Sequence, residues 1–231
     1  MNINFCKALF VAAFIGMSSS GYGQTAGHIN PFLSEYADLY GVPPFDKITI
    51  QDYKEAFLKG MQEQKEEIEA IVNQRSTPDF ENTVAAMDRS GRLLNKVSYV
   101  FYSQNSCNTN AEMQALDQEI SPLLSAHSDD ISLNPKLFAR VKRVYENKEK
   151  FNLDKEQNKL LENTYKSFVR NGANLSEADQ KKLRDLNSKI SMLQITFGQN
   201  MLKETNAFKL VIDKQEDLSG LPETLIANAA Q

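Results

Sequence analysis

"TIQDYKEAFLKGMQEQKEEIEAIV" (Thr49–Val72) decides the fold class. Thr49 stands where a helix N-cap belongs, and Asp52 follows three residues later, a variant of the capping box. Tyr53, Phe57, Met61, Ile68 and Val72 then recur at helical spacing, so one stripe is apolar and the rest is charged or amide-bearing. A strand would alternate every second residue, and this stretch does not.

The same period continues outward. "TPDFENTVAAMDRSGRLLNKVSYVF" (Thr77–Phe101) predicts a second helix with Pro78 in its first position and Val84, Met87, Gly91, Leu94, Val97 and Phe101 facing inward. A third puts Met113, Leu116, Ile120 and Leu123 on one side, with Pro122 expected to kink or divide it. Asn134-Pro135 opens a fourth, with Leu137, Val141 and Val144 inward, and a fifth runs from Asp154 to Asn171 before Gly172. Ser176 and Asp179 open a sixth, carrying Leu183, Leu186, Ile190, Leu193, Phe197 and Met201 as far as Lys203. "FKLVID" (Phe208–Asp213) alternates like a strand, and Pro222 starts another helix. The expected class is mainly α: an antiparallel helical array with one short strand near the C-terminus. A lone strand needs a pairing partner, and the helix after Pro222 is barely two turns long, so the chain reads as unfinished.

At the other end, "ALFVAAFIGM" (Ala8–Met17) is an apolar core behind Lys7 and ahead of small residues. That layout predicts a signal peptide over residues 1–23, cut between Gly23 and Gln24, and an exported, periplasmic product of residues 24–231. The apolar run is far shorter than the roughly 20 residues that span a bilayer, so no membrane association is expected after cleavage. The remainder is mildly acidic, with 30 acidic residues in the whole chain. No broad basic face for nucleic acid follows from that balance. Cys107 is the one cysteine left after Cys6 is removed, which excludes an intrachain disulfide.

Chemistry is sparse. Zinc peptidases of the HExxH type place two histidines one helical turn apart beside a glutamate, but this chain holds only His28 and His127. Glutamate follows neither. "HSDD" (His127, Asp129, Asp130) reads as a helix end rather than a metal cluster. Cys107 lies in "SQNSCNTN" without a basic neighbour to activate it. Glu63, Glu66, Glu67 and Glu69 interleave with Lys59 and Lys65 as a solvated helix face. Tyr99, Phe101 and Tyr102 read as core or groove wall. No catalytic and no metal residue is assigned, and substrate-binding residues are unknown.

The order of phrases says more. "NPFL" (Asn30–Leu33), "PPFDKI" (Pro43–Ile48), "YKEAFLKGMQEQKEEIEAI" (Tyr53–Ile71), "PDFENTVAAMDRSGRLLNKVSYVF" (Pro78–Phe101), "LDQEISPLLSAHSDDISLNPKLFARV" (Leu116–Val141), "LSEADQKKLRDLNSKISMLQITFGQNML" (Leu175–Leu202) and "FKLVIDKQEDLSGLPETLIA" (Phe208–Ala227) stand in one register. Together they resemble the N-terminal region of bacterial peptidyl-dipeptidases (dipeptidyl carboxypeptidases), zinc metallopeptidases of the thimet oligopeptidase family. The sister oligopeptidase A branch is the second reading within that family. The resemblance implies a two-lobed helical shell around a channel, with these helices forming part of one lobe. It also implies release of dipeptides from the C-termini of oligopeptides, with zinc as cofactor of the complete enzyme. Zinc would be held by HExxH and a later glutamate, and no position of this sequence matches those ligands. Its partners would then be oligopeptide substrates and a C-terminal catalytic region, and it would bind no metal itself and be inactive alone. The alternative from the residues is a non-catalytic helical peptide-binding module. A homodimeric coiled coil through Leu183–Met201 is a third reading, with fewer than three heptads to support it.

Overall fold

The computed structural model describes residues 28–37 and 40–229. The expected signal peptide, residues 1–23, lies outside the described residues.

Among the described residues eight α-helices follow one another: α1 (Ile50–Val72), α2 (Ala86–Asp88), α3 (Arg92–Cys107), α4 (Ala111–Ser132), α5 (Pro135–Glu146), α6 (Lys155–Arg170), α7 (Glu177–Ala207) and α8 (Glu223–Ala229). Local chemistry explains most of their ends. At α1 the Thr49 side chain accepts from Asp52 N–H while the Asp52 carboxylate accepts from Thr49 N–H, closing a full capping box. Asp154 and Gln157 do the same for α6. Asn134 accepts from the N–H groups of Lys136 and Leu137 with Pro135 at the first position of α5. Past α6, Gly172 takes φ +91°, the left-handed conformation that glycine reaches without steric penalty.

Three apolar clusters hold the array. Tyr53, Phe57, Val97, Phe101, Leu116 and Ile120 join α1, α3 and α4, with Phe32 from the N-terminal segment packed on Tyr53. Ile68, Ile71, Leu137, Val141 and Phe168 join the far half of α1 to α5 and α6. Phe80, Val84, Val144 and Leu161 form the third. Of the stripe expected for α1, Tyr53, Phe57 and Ile68 are buried while Met61 and Val72 are half-buried; the stripe expected for α5, Leu137, Val141 and Val144, is buried throughout.

Several expectations need correction. The second helix is not continuous. Pro78 precedes the N-cap Asp79, a π-helical turn runs over Phe80–Ala85, and the chain breaks at Gly91 with φ +72°. The break is set from α1: the Glu67 carboxylate accepts from Gly91 N–H at 2.7 Å, and a Cβ on Gly91 would lie 2.5 Å from Gln64 Nε2. Glu67 is therefore a cap for α3 as well as part of a solvated face. Pro122 does not divide α4, which runs through it. Leu123 is exposed, while Met113, Leu116 and Ile120 are buried as expected.

The expected strand over Phe208–Asp213 is absent, and no strand occurs among the described residues. Phe208 leaves α7 with extended backbone (φ −65°, ψ 127°), but no neighbouring segment offers a ladder. Alternation of apolar side chains cannot make a strand without backbone partners.

α7 is the odd member. It packs on α4, yet none of its 31 residues is buried. Leu193, Phe197 and Met201 are 67%, 71% and 59% exposed. The apolar stripe is present and uncovered.

Candidate functional site

A cleft of about 610 Å³ lies at the seam between the first two cores. Each bounding helix contributes residues one turn apart, the spacing that puts side chains on one face. α1 gives Gln64 and Ile68, α3 gives Leu94 and Ser98, and α6 gives Thr164 and Phe168. α4 gives Leu124, His127 and Ile131. Their apolar members make the floor. Hydroxyl and amide groups make the walls, and no Asp, Glu, Lys or Arg lines the cleft among the described residues.

His127 is the one titratable group in it. Its Nε2 donates to Gln64 Oε1 at 2.8 Å, tying α4 to α1. Burial lowers the imidazole pKa; the carboxylate of Asp130 opposes this and the ammonium of Lys65 adds to it. The imidazole is therefore held neutral. Gln64 Nε2 in turn donates to Ser90 Oγ, which donates to the Met87 carbonyl at 2.7 Å. The site can offer neutral donors and acceptors. It holds no nucleophile paired with a base, so it cannot by itself perform acyl transfer.

The other sequence candidates sit elsewhere, and each has a structural occupation. His28 Nε2 donates to both carboxylate oxygens of Asp52, at 2.8 and 2.9 Å, and Asp52 is only 2% exposed. The pair clasps the N-terminal segment to the start of α1, helped by Asn30 Nδ2 donating to the Asp52 carbonyl. The two aspartates of "HSDD" join α4 to α7: Asn187 donates to Asp129 Oδ1 at 2.7 Å and Arg184 to Asp130 Oδ1 at 2.8 Å. They are not turned toward His127 as co-ligands. Glu66 accepts from Gln62 and Glu63 pairs with Lys59 on the exposed side of α1. Cys107 is exposed at the end of α3, with Ser106 Oγ 3.6 Å from its sulfur. Of the aromatic trio, Phe101 is core, Tyr99 is exposed and Tyr102 stands edge-on to Phe101.

Among the described residues no three of His, Cys, Asp or Glu come together. The two histidines are committed to Asp52 and Gln64 on different helix pairs. These residues do not fit zinc. Nor is any helix of the described residues long and apolar enough to cross a membrane.

Sequence reasoning missed the cleft. Its residues come from five separate segments between Gln64 and Asn171. The signal available was indirect: Thr164 stands on the inward stripe of α6 between Leu161 and Phe168, where an apolar residue would be the default.

No family model matches the chain. Among curated proteins it is 39% identical over 203 residues to the dipeptidyl carboxypeptidase of Escherichia coli, covering 88% of this chain and 30% of that protein. It is 40% identical over 205 residues to the dipeptidyl carboxypeptidase of Salmonella typhimurium, covering 87% and 30%. Oligopeptidase A of Haemophilus influenzae is 27% identical over 204 residues, covering 87% and 29%. The chain thus spans less than a third of the length of these relatives.

Proposed function

Because this chain belongs to the thimet oligopeptidase family, we propose that it forms the N-terminal helical wall of an exported zinc peptidase that releases dipeptides from the C-termini of oligopeptides. The relatives are dipeptidyl carboxypeptidases and oligopeptidases A, and they supply the reaction class. Zinc and the residues that act on the scissile bond would come from outside these helices, since the residues here do not fit the metal. No chemical step is routed through this chain.

The observation that carries the reading is the uncovered stripe on α7. Leu186, Ile190, Leu193, Phe197 and Met201 lie along one face of a helix about 46 Å long, at roughly 1.5 Å per residue. Phe208, Leu210 and Val211 continue it and are more than 70% exposed. Contiguous apolar surface of that extent marks a site of association. In a protein some three times longer, the remaining length is the natural cover. The role assigned here is then to position one wall of a channel that admits short peptides and excludes folded proteins.

A chimera tests this. Residues 28–229 replace the segment they align with in the E. coli dipeptidyl carboxypeptidase, and dipeptide release from a short oligopeptide is measured. The expected result is a folded chimera with activity, abolished by L193D together with F197D. A chimera that melts cooperatively but releases no dipeptide would overturn the peptidase reading and leave the peptide-binding module.

A further inference from the structure

Tyr145 on α5 and Tyr165 on α6 make the closest ring pair among the described residues, and from this contact we infer that the two are a site of covalent oxidative cross-linking. Their ring centroids are 4.1 Å apart and the ring planes differ by 6°. Aromatic pairs in proteins usually keep their centroids about 4.5–7 Å apart, and many meet edge to face. Here the two faces touch, so carbons of one ring lie at van der Waals distance, about 3.5–4.0 Å, from carbons of the other.

The surroundings give each phenol a single partner. Phe138 and Tyr145 stand two turns apart on α5, about 10.5 Å along the axis, and Tyr165 stacks between them, 6.0 Å from Phe138 and tilted by 18°. Phe168 extends the column past Phe138, and Lys148 Nζ lies 5.5 Å from the Tyr145 centroid. The two phenylalanines are buried, whereas both tyrosines are half-buried, so the phenols stand where a dissolved oxidant reaches the column. Elsewhere among the described residues no tyrosine ring meets a second tyrosine. Tyr53 and Tyr102 stand edge-on to Phe101, and Tyr36 carries Lys96 over its face.

The co-reactant is an oxidant of the peroxide class, acting one electron at a time. Each phenol loses one electron and its hydroxyl proton. The unpaired electron of each resulting radical spreads to the carbons beside the oxygen-bearing carbon. One such carbon from each ring forms the new carbon–carbon bond. The hydrogen on each of those two carbons then moves to its ring's oxygen, which restores two phenols. Two hydrogens have left the protein, and one hydrogen peroxide has become two waters. The stack supplies the encounter in advance, so the coupling is unimolecular. The product ties α5 to α6 and closes a loop of about 20 residues, which restricts the unfolded chain as a disulfide does. Sulfur cannot supply that staple here, because Cys107 has no second cysteine to pair with among the described residues.

This chemistry is independent of the peptidase reading. The test treats the full chain, at low concentration, with hydrogen peroxide and a haem peroxidase, under conditions that couple free tyrosine in a parallel reaction. The isolated monomer is expected to have lost two hydrogens and to show dityrosine fluorescence. Proteolysis should then give peptides joined through Tyr145 and Tyr165. Y145F and Y165F each keep the stacked ring and remove one phenol, so each should abolish the link, with circular dichroism confirming the fold. Y99F, which changes an exposed tyrosine outside the column, should leave the yield unchanged. A monomer that keeps all its hydrogens, a link mapped to another pair of tyrosines, or an undiminished yield in Y145F or Y165F would overturn the inference.

Discussion

At Gly60 the backbones of α1 and α3 approach closely, and G60A puts the packing to the test. A Cβ built there lies 2.8 Å from both Cα and N of Leu94 and 3.1 Å from its Cβ. Ordinary contact begins near 3.4 Å, so the helices must separate by roughly 0.6 Å. The obstacle is backbone, which cannot rotate aside as a side chain can. Alanine in a helix interior gains about 1 kcal/mol over glycine. Overpacking a well-filled core costs about 1–3 kcal/mol, and backbone obstruction places this case toward the upper end. The net expectation is a loss of about 1–2 kcal/mol. For a chain of this size that lowers Tm by about 2–8 °C, read by far-UV circular dichroism. G198A is the matched control: nothing lies within 4 Å of its Cβ, so it should be neutral or stabilise α7 by up to about 1 kcal/mol. An unchanged or raised Tm for G60A would refute the reasoning, because it would mean that the α1–α3 contact has slack.

Arg140 gives a second test. The residue is 7% exposed, and its guanidinium donates to the Gln74 carbonyl at 3.3 Å and to Asn82 Oδ1 at 2.9 Å, while Nε has no partner. R140M, which removes the buried charge and keeps the stem, should cost less in chemical denaturation than N82A, which leaves the charge stranded by about 2 kcal/mol or more. His127 gives a pH test. Burial favours its neutral form in the folded state, so its contribution to stability is full above pH 6.5 and falls as pH drops through that value toward the lowered folded pKa. H127Q should flatten that limb of the stability profile and leave the alkaline side unchanged. The α7 stripe gives a fourth. L193D with F197D should reduce binding of a hydrophobic dye and shift stability by no more than about 0.5 kcal/mol, since neither side chain is buried.

What was legible in the sequence was whatever neighbouring residues decide among themselves. The Thr49–Asp52 box, the Asn134-Pro135 start, the Asp154 cap and the Gly172 stop are all written within a few positions of where they act. What was not legible depends on partners far along the chain. The break at Gly91 is enforced by Glu67 and Gln64 from another helix. Periodicity marked Val84, Leu94 and Phe101 as inward on both sides of that break, because each short piece keeps the same local period. Phe208–Asp213 failed as a strand for the complementary reason: its pattern is local, but a ladder is not. The cleft was invisible because no one helix carries enough of it.

That none of α7's residues is buried also bears on the order of assembly during synthesis. The three cores draw only on residues that leave the ribosome before Glu177. They can condense before α7 joins them, as N-terminal units generally do. α7 then emerges against a finished platform, held to α4 by Arg184 and Asn187 with its apolar face outward. Whatever is translated next meets a pre-aligned template. Until that moment the same face is what a chaperone would grasp.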